Sequence, residues 1–78
     1  MQKTIFSKEY QYFLDLMIQA RQDSGTTQIE LAKKLKRPQS FVSKYENGER
    51  RVDVIEFITV CKALGVDAKK IVANLTKS

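Results

Sequence analysis

Residues 27–48 read TQIELAKKLKRPQSFVSKYENG, and this stretch decides the fold. It opens with a capping box, in which the Thr27 hydroxyl accepts a hydrogen bond from the Glu30 amide while the Glu30 carboxylate reaches back. An apolar face follows, formed by Leu31, Ala32 and Leu35. The first half of the stretch therefore predicts a short helix that ends near Leu35 or Lys36.

The second half of the stretch predicts another short helix after a break at Pro38. Proline suits the first turn of a helix and disfavours helical backbone at the preceding residue. The helix is expected over residues 39–46 and ends before Asn47-Gly48. On a helical wheel one side is apolar, and the other presents an amide, two hydroxyls and an amine from Gln39, Ser40, Ser43 and Lys44. Two short helices joined by a tight turn form a helix-turn-helix arrangement.

The sequence on either side of this stretch predicts three further helices. With three Gly and one Pro in 78 residues, helix breakers are scarce. The first, fourth and fifth helices are expected at residues 8–24, 54–64 and 68–75, after the capping residues Ser7, Asp53 and Asp67. The predicted fold class is therefore all-α, a compact single domain of five helices over residues 1–78, with a core of about 7–75 and short flexible tails.

The side-chain chemistry excludes several classes of function. The chain has no His, which removes the commonest general base and the commonest transition-metal ligand. Its one Cys, Cys61, lies on the apolar side of the fourth helix and is interpreted as a buried residue rather than a reactive thiol. No apolar run approaches the ~20 residues of a membrane span. We therefore expect a cytoplasmic protein that is not an enzyme and takes no metal, cofactor or small-molecule ligand.

The charge is concentrated in one quarter of the chain. The net charge is +5, and the segment from Lys33 to Arg51, with seven basic and two acidic residues, carries the whole excess. Such a patch suggests a polyanionic partner, usually nucleic acid, although a solvated surface is the alternative. RNA is disfavoured because the aromatic residues that could stack on bases are predicted to point inward, namely Tyr10, Phe13, Tyr45 and Phe57.

The predicted third helix suits the major groove of double-stranded DNA. This groove is about 12 Å wide and accepts one α-helix, and Gln, Lys and Ser can all bond base edges there. Gln28 lies at the start of the second helix, where free amides can contact a phosphate. Further backbone contacts are expected from residues on either side of the third helix, namely Arg37, Asn47, Arg50 and Arg51.

Three motifs carry a family resemblance: TQxxLA at residues 27–32, QSxVSKYENG at 39–48 and CKALGV at 61–66. Together they resemble the Cro/C1-type (XRE-like) helix-turn-helix family of phage and bacterial repressors. The resemblance covers roughly residues 10–75. It implies a five-helix, lambda-repressor-like domain whose second and third helices form the motif. It also implies sequence-specific DNA binding by a transcriptional regulator, here a repressor, generally as a homodimer.

The resemblance also implies roles for individual residues. Base contacts in the family come from the start and outward face of the third helix, which correspond to Gln39, Ser40, Ser43 and Lys44. Backbone contacts fall at Gln28 and around Asn47. Some members pair an arginine late in the first helix with the glutamate before Asn-Gly, which implies an ion pair between Arg21 and Glu46 here. The alternative for Arg21, which lies on the apolar stripe of its helix, is that its side chain extends to solvent.

Five positions depart from the family pattern. Thr26 replaces a large aliphatic residue, Pro38 replaces a small polar N-cap, and Lys36-Arg37 replaces a Gly plus aliphatic pair. Phe41 is bulky for the rim of the third helix. It either touches a thymine methyl or a sugar, or is buried against a neighbouring helix.

The C-terminal part of the chain predicts self-association. The fourth helix opens with a second capping box, Asp53 and Glu56, and its apolar arc comprises Val54, Phe57, Ile58, Val60, Cys61 and Leu64. A thin C-terminal layer has little room to bury Ile55, Val66, Ile71, Val72 and Leu75, so part of this set is expected in a two-fold interface. The alternative is that these residues only close the core. For the function, the alternative to a regulator is an antitoxin-type module that covers a partner protein and also binds DNA.

Overall fold

The computed structural model describes residues 7–77 and contains five helices there, with no strand among these residues. They are α1 (Lys8–Asp23), α2 (Gln28–Leu35), α3 (Gln39–Glu46), α4 (Val54–Leu64) and α5 (Ala68–Lys77). The predicted all-α, five-helix fold is therefore confirmed. The predicted bounds of α3 and α4 match those observed, whereas α5 continues two residues beyond the expected end at Leu75.

The predicted capping interactions explain where the helices begin. Thr27 Oγ1 accepts from the Glu30 amide at 3.1 Å, and Glu30 Oε1 accepts from the Thr27 amide at 2.9 Å. The same reciprocal pair forms at the start of α4, with distances of 2.7 and 3.1 Å between Asp53 and Glu56. At α1, the Ser7 hydroxyl accepts from the Tyr10 amide at 3.1 Å. These bonds satisfy amides that have no partner inside the helix.

The turn between α2 and α3 stays tight although its sequence departs from the family pattern. Lys36 takes the position where glycine is common and adopts the left-handed conformation, with φ 57°. The Arg37 amide then bonds the Ala32 carbonyl at 3.0 Å, which closes the end of α2. Pro38 precedes α3 without a side-chain cap. A lysine in this backbone conformation costs about 1–2 kcal/mol relative to the right-handed form, so the turn is strained at residue 36.

The core lies between all five helices and takes its apolar side chains from each. Buried hydrophobic residues are Leu14, Met17, Leu31, Ala32, Phe41, Val42, Tyr45, Phe57, Val60, Cys61, Leu64 and Ile71. Burial raises the pKa of the Cys61 thiol to about 11, so the thiolate needed for reactivity is scarce at neutral pH. Thr26 is buried too, and its hydroxyl bonds Ser24 Oγ at 2.9 Å. The small polar residue is therefore accommodated by a hydrogen bond.

The apolar C-terminal set divides between the core and the surface. Ile71 is buried, and Val66 and Leu75 pack partly buried against the core. Ile55 and Val72 remain exposed, at 67% and 44%. Val54 and Ile58, which the apolar arc of α4 predicted to be inward, are also exposed. Hence α4 is apolar around more of its circumference than its neighbours cover.

The hydroxyl of Tyr45 has no hydrogen-bond partner among residues 7–77, although the side chain is fully buried. Burial, with a smaller contribution from Glu46, raises the pKa of this phenol. The folded chain therefore retains the proton at a pH where the unfolded chain, with a pKa near 10, has lost it. A raised folded-state pKa means that stability is fully present below about pH 10 and falls as the pH rises further.

Tyr45→Phe is expected to leave the free energy of unfolding unchanged or to raise it by up to about 1 kcal/mol at pH 7, because it removes an unpaired buried hydroxyl. Its advantage should increase above about pH 10, since the variant has no phenol to ionise on unfolding. Urea unfolding at both pH values measures this, with Tyr12→Phe at an exposed tyrosine as the control. A large loss of stability at pH 7 would show that the hydroxyl has a favourable partner.

Candidate nucleic-acid interface

The recognition face comprises Gln39, Ser40, Ser43 and Lys44 on the outer side of α3. Gln39, Ser40 and Lys44 are exposed, and Ser43 is half-buried. The opposite side of the same helix carries Val42 and Tyr45, both fully buried. Because the inner side is fixed in the core, the four polar side chains are presented together on one rigid surface.

The Gln28 side chain connects the start of α2 with both ends of α3. Its Nε2 donates to Glu46 Oε1 at 2.9 Å, and its Oε1 accepts from Gln39 Nε2 at 3.5 Å. The sequence indicates only that Gln28 lies at a helix start, and it gives no signal for these side-chain contacts. The structure therefore brings Gln28 beside the recognition face.

Arg21 and Glu46 form a largely buried ion pair, with side chains 13% and 4% exposed. Arg21 Nε and Nη2 donate to the two carboxylate oxygens at 2.7 and 3.1 Å, and Nη1 donates to the Thr26 carbonyl at 3.0 Å. The hydrogen bond to Glu46 raises the pKa of Arg21. The arginine on the apolar stripe of α1 thus reaches a carboxylate instead of extending to solvent, and it ties α1 to the end of α3.

A second group of charges borders the recognition face. This arginine cluster comprises Arg37, Phe41, Arg50 and Glu56. Arg50 Nη1 and Nη2 donate to Glu56 Oε1 and Oε2 at 2.9 and 2.8 Å, and Arg37 Nη1 lies 3.6 Å from Oε2. The bonds from Arg50, with help from the Asp53 amide, lower the pKa of Glu56 to about 2. Arg50, which the sequence indicates only as a candidate backbone contact after α3, is thus held by a carboxylate.

Phe41 lies at the centre of the arginine cluster and is buried. The Arg37 and Arg50 guanidinium carbons lie 4.0 and 4.8 Å from its ring centroid. The ring also meets Tyr45 edge-on, with the centroids 5.4 Å apart. Of the two alternatives for this residue, burial is therefore the one observed, and its ring supports two cations by cation–π contact.

The two remaining backbone candidates lie apart from each other. Asn47 is exposed directly after α3, where its amide bonds the Ser43 carbonyl at 3.0 Å. The Arg51 guanidinium lies 4.6 Å from the Tyr10 ring centroid, beside the start of α1. Asn47 thus belongs to the same region as the recognition face, whereas the Arg51 side chain is directed towards α1.

Glu56 is the residue of this region that sequence reasoning missed. Its sequence signal was only that of a capping partner for Asp53, a role that it also fills.

Within residues 7–77, no group of three or more His, Cys, Asp or Glu side chains could hold a metal ion. None of the five helices in these residues combines the length and the hydrophobicity that a membrane span requires.

Comparisons with known proteins agree with this arrangement. The helix-turn-helix family matches residues 17–71, which include all of α2, α3 and α4. No curated protein matches the chain. A solved structure of an XRE-family like protein from Pseudomonas syringae pv. tomato str. DC3000 is 52% identical, with a TM-score of 0.86 over 88% of this chain and 84% of that chain. The chain therefore belongs to the XRE family of helix-turn-helix DNA-binding transcription regulators.

Proposed function

We propose that the protein binds double-stranded DNA sequence-specifically as a transcriptional repressor in the cytoplasm, with α3 in the major groove. The observation that carries this proposal is the recognition face itself: four polar side chains on the outer side of a helix whose inner side is buried. Gln39 can bond an adenine edge through two hydrogen bonds, Lys44 can bond guanine, and Ser40 and Ser43 can serve either base.

Phosphate contacts on both sides of α3 would fix its register in the groove. We propose such contacts from Gln28, Arg37, Asn47 and Arg50, and from Arg51 where the duplex passes the start of α1. Support comes from the partly exposed side chains of Arg37 and Arg50 beside the recognition face. Phosphate contacts carry no sequence information, so specificity rests on the recognition face.

Selection of bound duplexes from a random pool tests this proposal. A regulator of this type should enrich a site with two inverted half-sites, about 34–36 Å apart for one helical turn. Enrichment of one short motif without inverted symmetry would agree with sequence-specific binding and contradict binding as a two-fold dimer. If no sequence were enriched, sequence-specific binding itself would be contradicted.

The homodimer is proposed on the exposed apolar surface of α4 and α5. Val54, Ile58 and Val72 are exposed there, and the cleft between the two helices is lined by Val54, Phe57, Ile58, Ala68, Lys69, Val72 and Ala73. Ile55 is exposed on the neighbouring side of α4, where it lines a second cleft with Leu35 and Phe41. A contiguous apolar surface on a small domain is typical of an interface. A two-fold interface places the same residues of both copies together, so each exposed side chain would be buried twice.

Ile58→Gln is expected to weaken dimer assembly on a full site by roughly tenfold or more, because it removes one apolar side chain from each copy. Sedimentation of the protein–duplex complex measures the stoichiometry, with two subunits per full site expected for the wild type. Tyr12→Gln on α1 is the matched control, since Tyr12 and Ile58 are 37% and 36% exposed. One wild-type subunit per full site at saturation would contradict the dimer.

The antitoxin-type module remains the alternative function, and the same apolar surface favours it. In that case Val54, Ile55, Ile58 and Val72 would cover a different protein rather than a second copy. Purified protein distinguishes the two, because a homodimer assembles on the duplex without any partner. A purified chain that stays monomeric on DNA would favour the antitoxin-type function.

A further inference from the structure

The Glu56 carboxylate joins three segments of the chain. It accepts two hydrogen bonds from Arg50 in the loop after α3, lies 3.6 Å from Arg37 in the turn before α3, and accepts from the Asp53 amide at the start of α4. Its own side chain is only 17% exposed. The Glu56 side chain is therefore less exposed than the two arginine side chains that contact it.

The arginine cluster lies at one edge of the recognition face. On the helical wheel Phe41 follows Lys44, the last residue of that face, by about 60°. Both guanidinium groups stack on the Phe41 ring, and their side chains are 41% and 40% exposed. Among residues 7–77, Arg50 uses three of its five N–H donors, for Glu56 and the Arg51 carbonyl. Donors thus remain for an anion beside α3.

We propose that Glu56 is a positioning residue, which holds Arg37 and Arg50 in the geometry in which they bind a DNA phosphate. This inference rests on the proposed DNA-binding function. An unconstrained arginine loses rotamer freedom when it binds a phosphate, whereas the Arg50 guanidinium, fixed by two hydrogen bonds to Glu56 and a contact with the Phe41 ring, has lost that freedom on folding. Arg37 is restrained less tightly, by the 3.6 Å ion pair and its own contact with the ring. The Glu56 carboxylate thereby strengthens phosphate binding by the arginines, although its own negative charge repels DNA.

A double-mutant cycle separates positioning from charge. The four proteins are the wild type, Arg50→Ala, Glu56→Gln and the double variant, and the probe is a labelled duplex of mixed sequence. Glutamine can still complete the capping box with Asp53. Glu56→Gln also removes the repulsion between this carboxylate and DNA, and it does so in both the single and the double variant. This change therefore cancels when the effect of Arg50→Ala in the wild type is compared with its effect in Glu56→Gln.

Arg50→Ala is expected to weaken binding of the wild type about tenfold and to lower the salt slope by about one unit. In the Glu56→Gln protein, Arg50→Ala should weaken DNA binding by less than about threefold, since an arginine that is not positioned contributes less to the affinity. Anisotropy titrations over a salt series measure both quantities. Glu49→Gln is the matched control: it removes the same charge from an exposed neighbour of Arg50 and should leave the effect of Arg50→Ala at about tenfold.

An equal or larger cost of Arg50→Ala in the Glu56→Gln protein would overturn the proposal, because Glu56 would then be neutral or would compete with the phosphate. Thermal unfolding checks that each variant is folded. If Glu56→Gln does not fold, Arg50→Lys decides the question: it keeps the charge without the fork to Glu56, and it should lose most of the affinity that Arg50→Ala loses. Full retention of affinity by Arg50→Lys would overturn the proposal too.

The result is separable from the test of the proposed function. The mixed-sequence duplex presents phosphates whether or not a specific operator exists. Wild-type binding to this duplex with no coupling in the cycle would refute the role of Glu56 alone. Coupling in the cycle with an unenriched random pool would refute sequence-specific reading alone. A wild type that binds no duplex would refute both.

Discussion

Glu46→Ala is expected to lower the free energy of unfolding by about 3–5 kcal/mol, the cost of leaving one partner of a buried ion pair alone. Glu46 accepts three hydrogen bonds, two from Arg21 and one from Gln28. Without it the Arg21 guanidinium, on a side chain that is 13% exposed, keeps only the Thr26 carbonyl as a bonded acceptor among residues 7–77. A charge in that position cannot be solvated well by water.

Thermal and urea unfolding of Glu46→Ala and Glu49→Ala test this expectation. Glu49 is exposed three positions along the chain, so its loss should change stability by no more than about 0.5 kcal/mol. For a domain of this size each kcal/mol corresponds to about 4–8 °C in the melting temperature. Equal shifts for the two variants would mean that the pair contributes nothing beyond an exposed carboxylate.

Gln39→Ala is expected to reduce the preference for the selected operator over scrambled DNA by about 1–3 kcal/mol, the value of one bidentate base contact. The salt dependence of the variant's DNA affinity should remain nearly unchanged, because no phosphate contact is lost. The variant should fold normally, since Gln39 is exposed and its side chain makes only a long 3.5 Å bond to Gln28. A separate loss of affinity for scrambled DNA would instead indicate a backbone contact.

The fold was predictable because its signals are local. Both capping boxes, Pro38 and the Asn47-Gly48 ending lie within a few residues of the helix ends that they determine. The periodicity of α3 likewise separates buried Val42 and Tyr45 from the recognition face without any tertiary information. The Arg21–Glu46 pair joins residues 25 positions apart, and it was anticipated only through the family resemblance.

The arginine cluster and the apolar surface could not be predicted in the same way. Arg37 and Arg50 meet Glu56 across two loops, and no periodic pattern relates the three positions. The helical wheel gives the direction of the apolar arc of α4. How much of that arc is buried depends on how α2 and α5 pack against it. For this reason Ile58 was assigned to the inner side and is exposed in the structure.

The ratio of affinities for the selected operator and a scrambled duplex of equal composition tests the central claim most directly. It is measured in parallel for the wild type, Gln39→Ala and Gln19→Ala, an exposed glutamine beside the groove between α1 and α5. We expect a wild-type ratio of about a thousandfold or more, the same ratio for Gln19→Ala, and a reduction of about 5–150-fold for Gln39→Ala. A Gln39→Ala ratio equal to that of the wild type would contradict base reading by Gln39 from the outer face of α3.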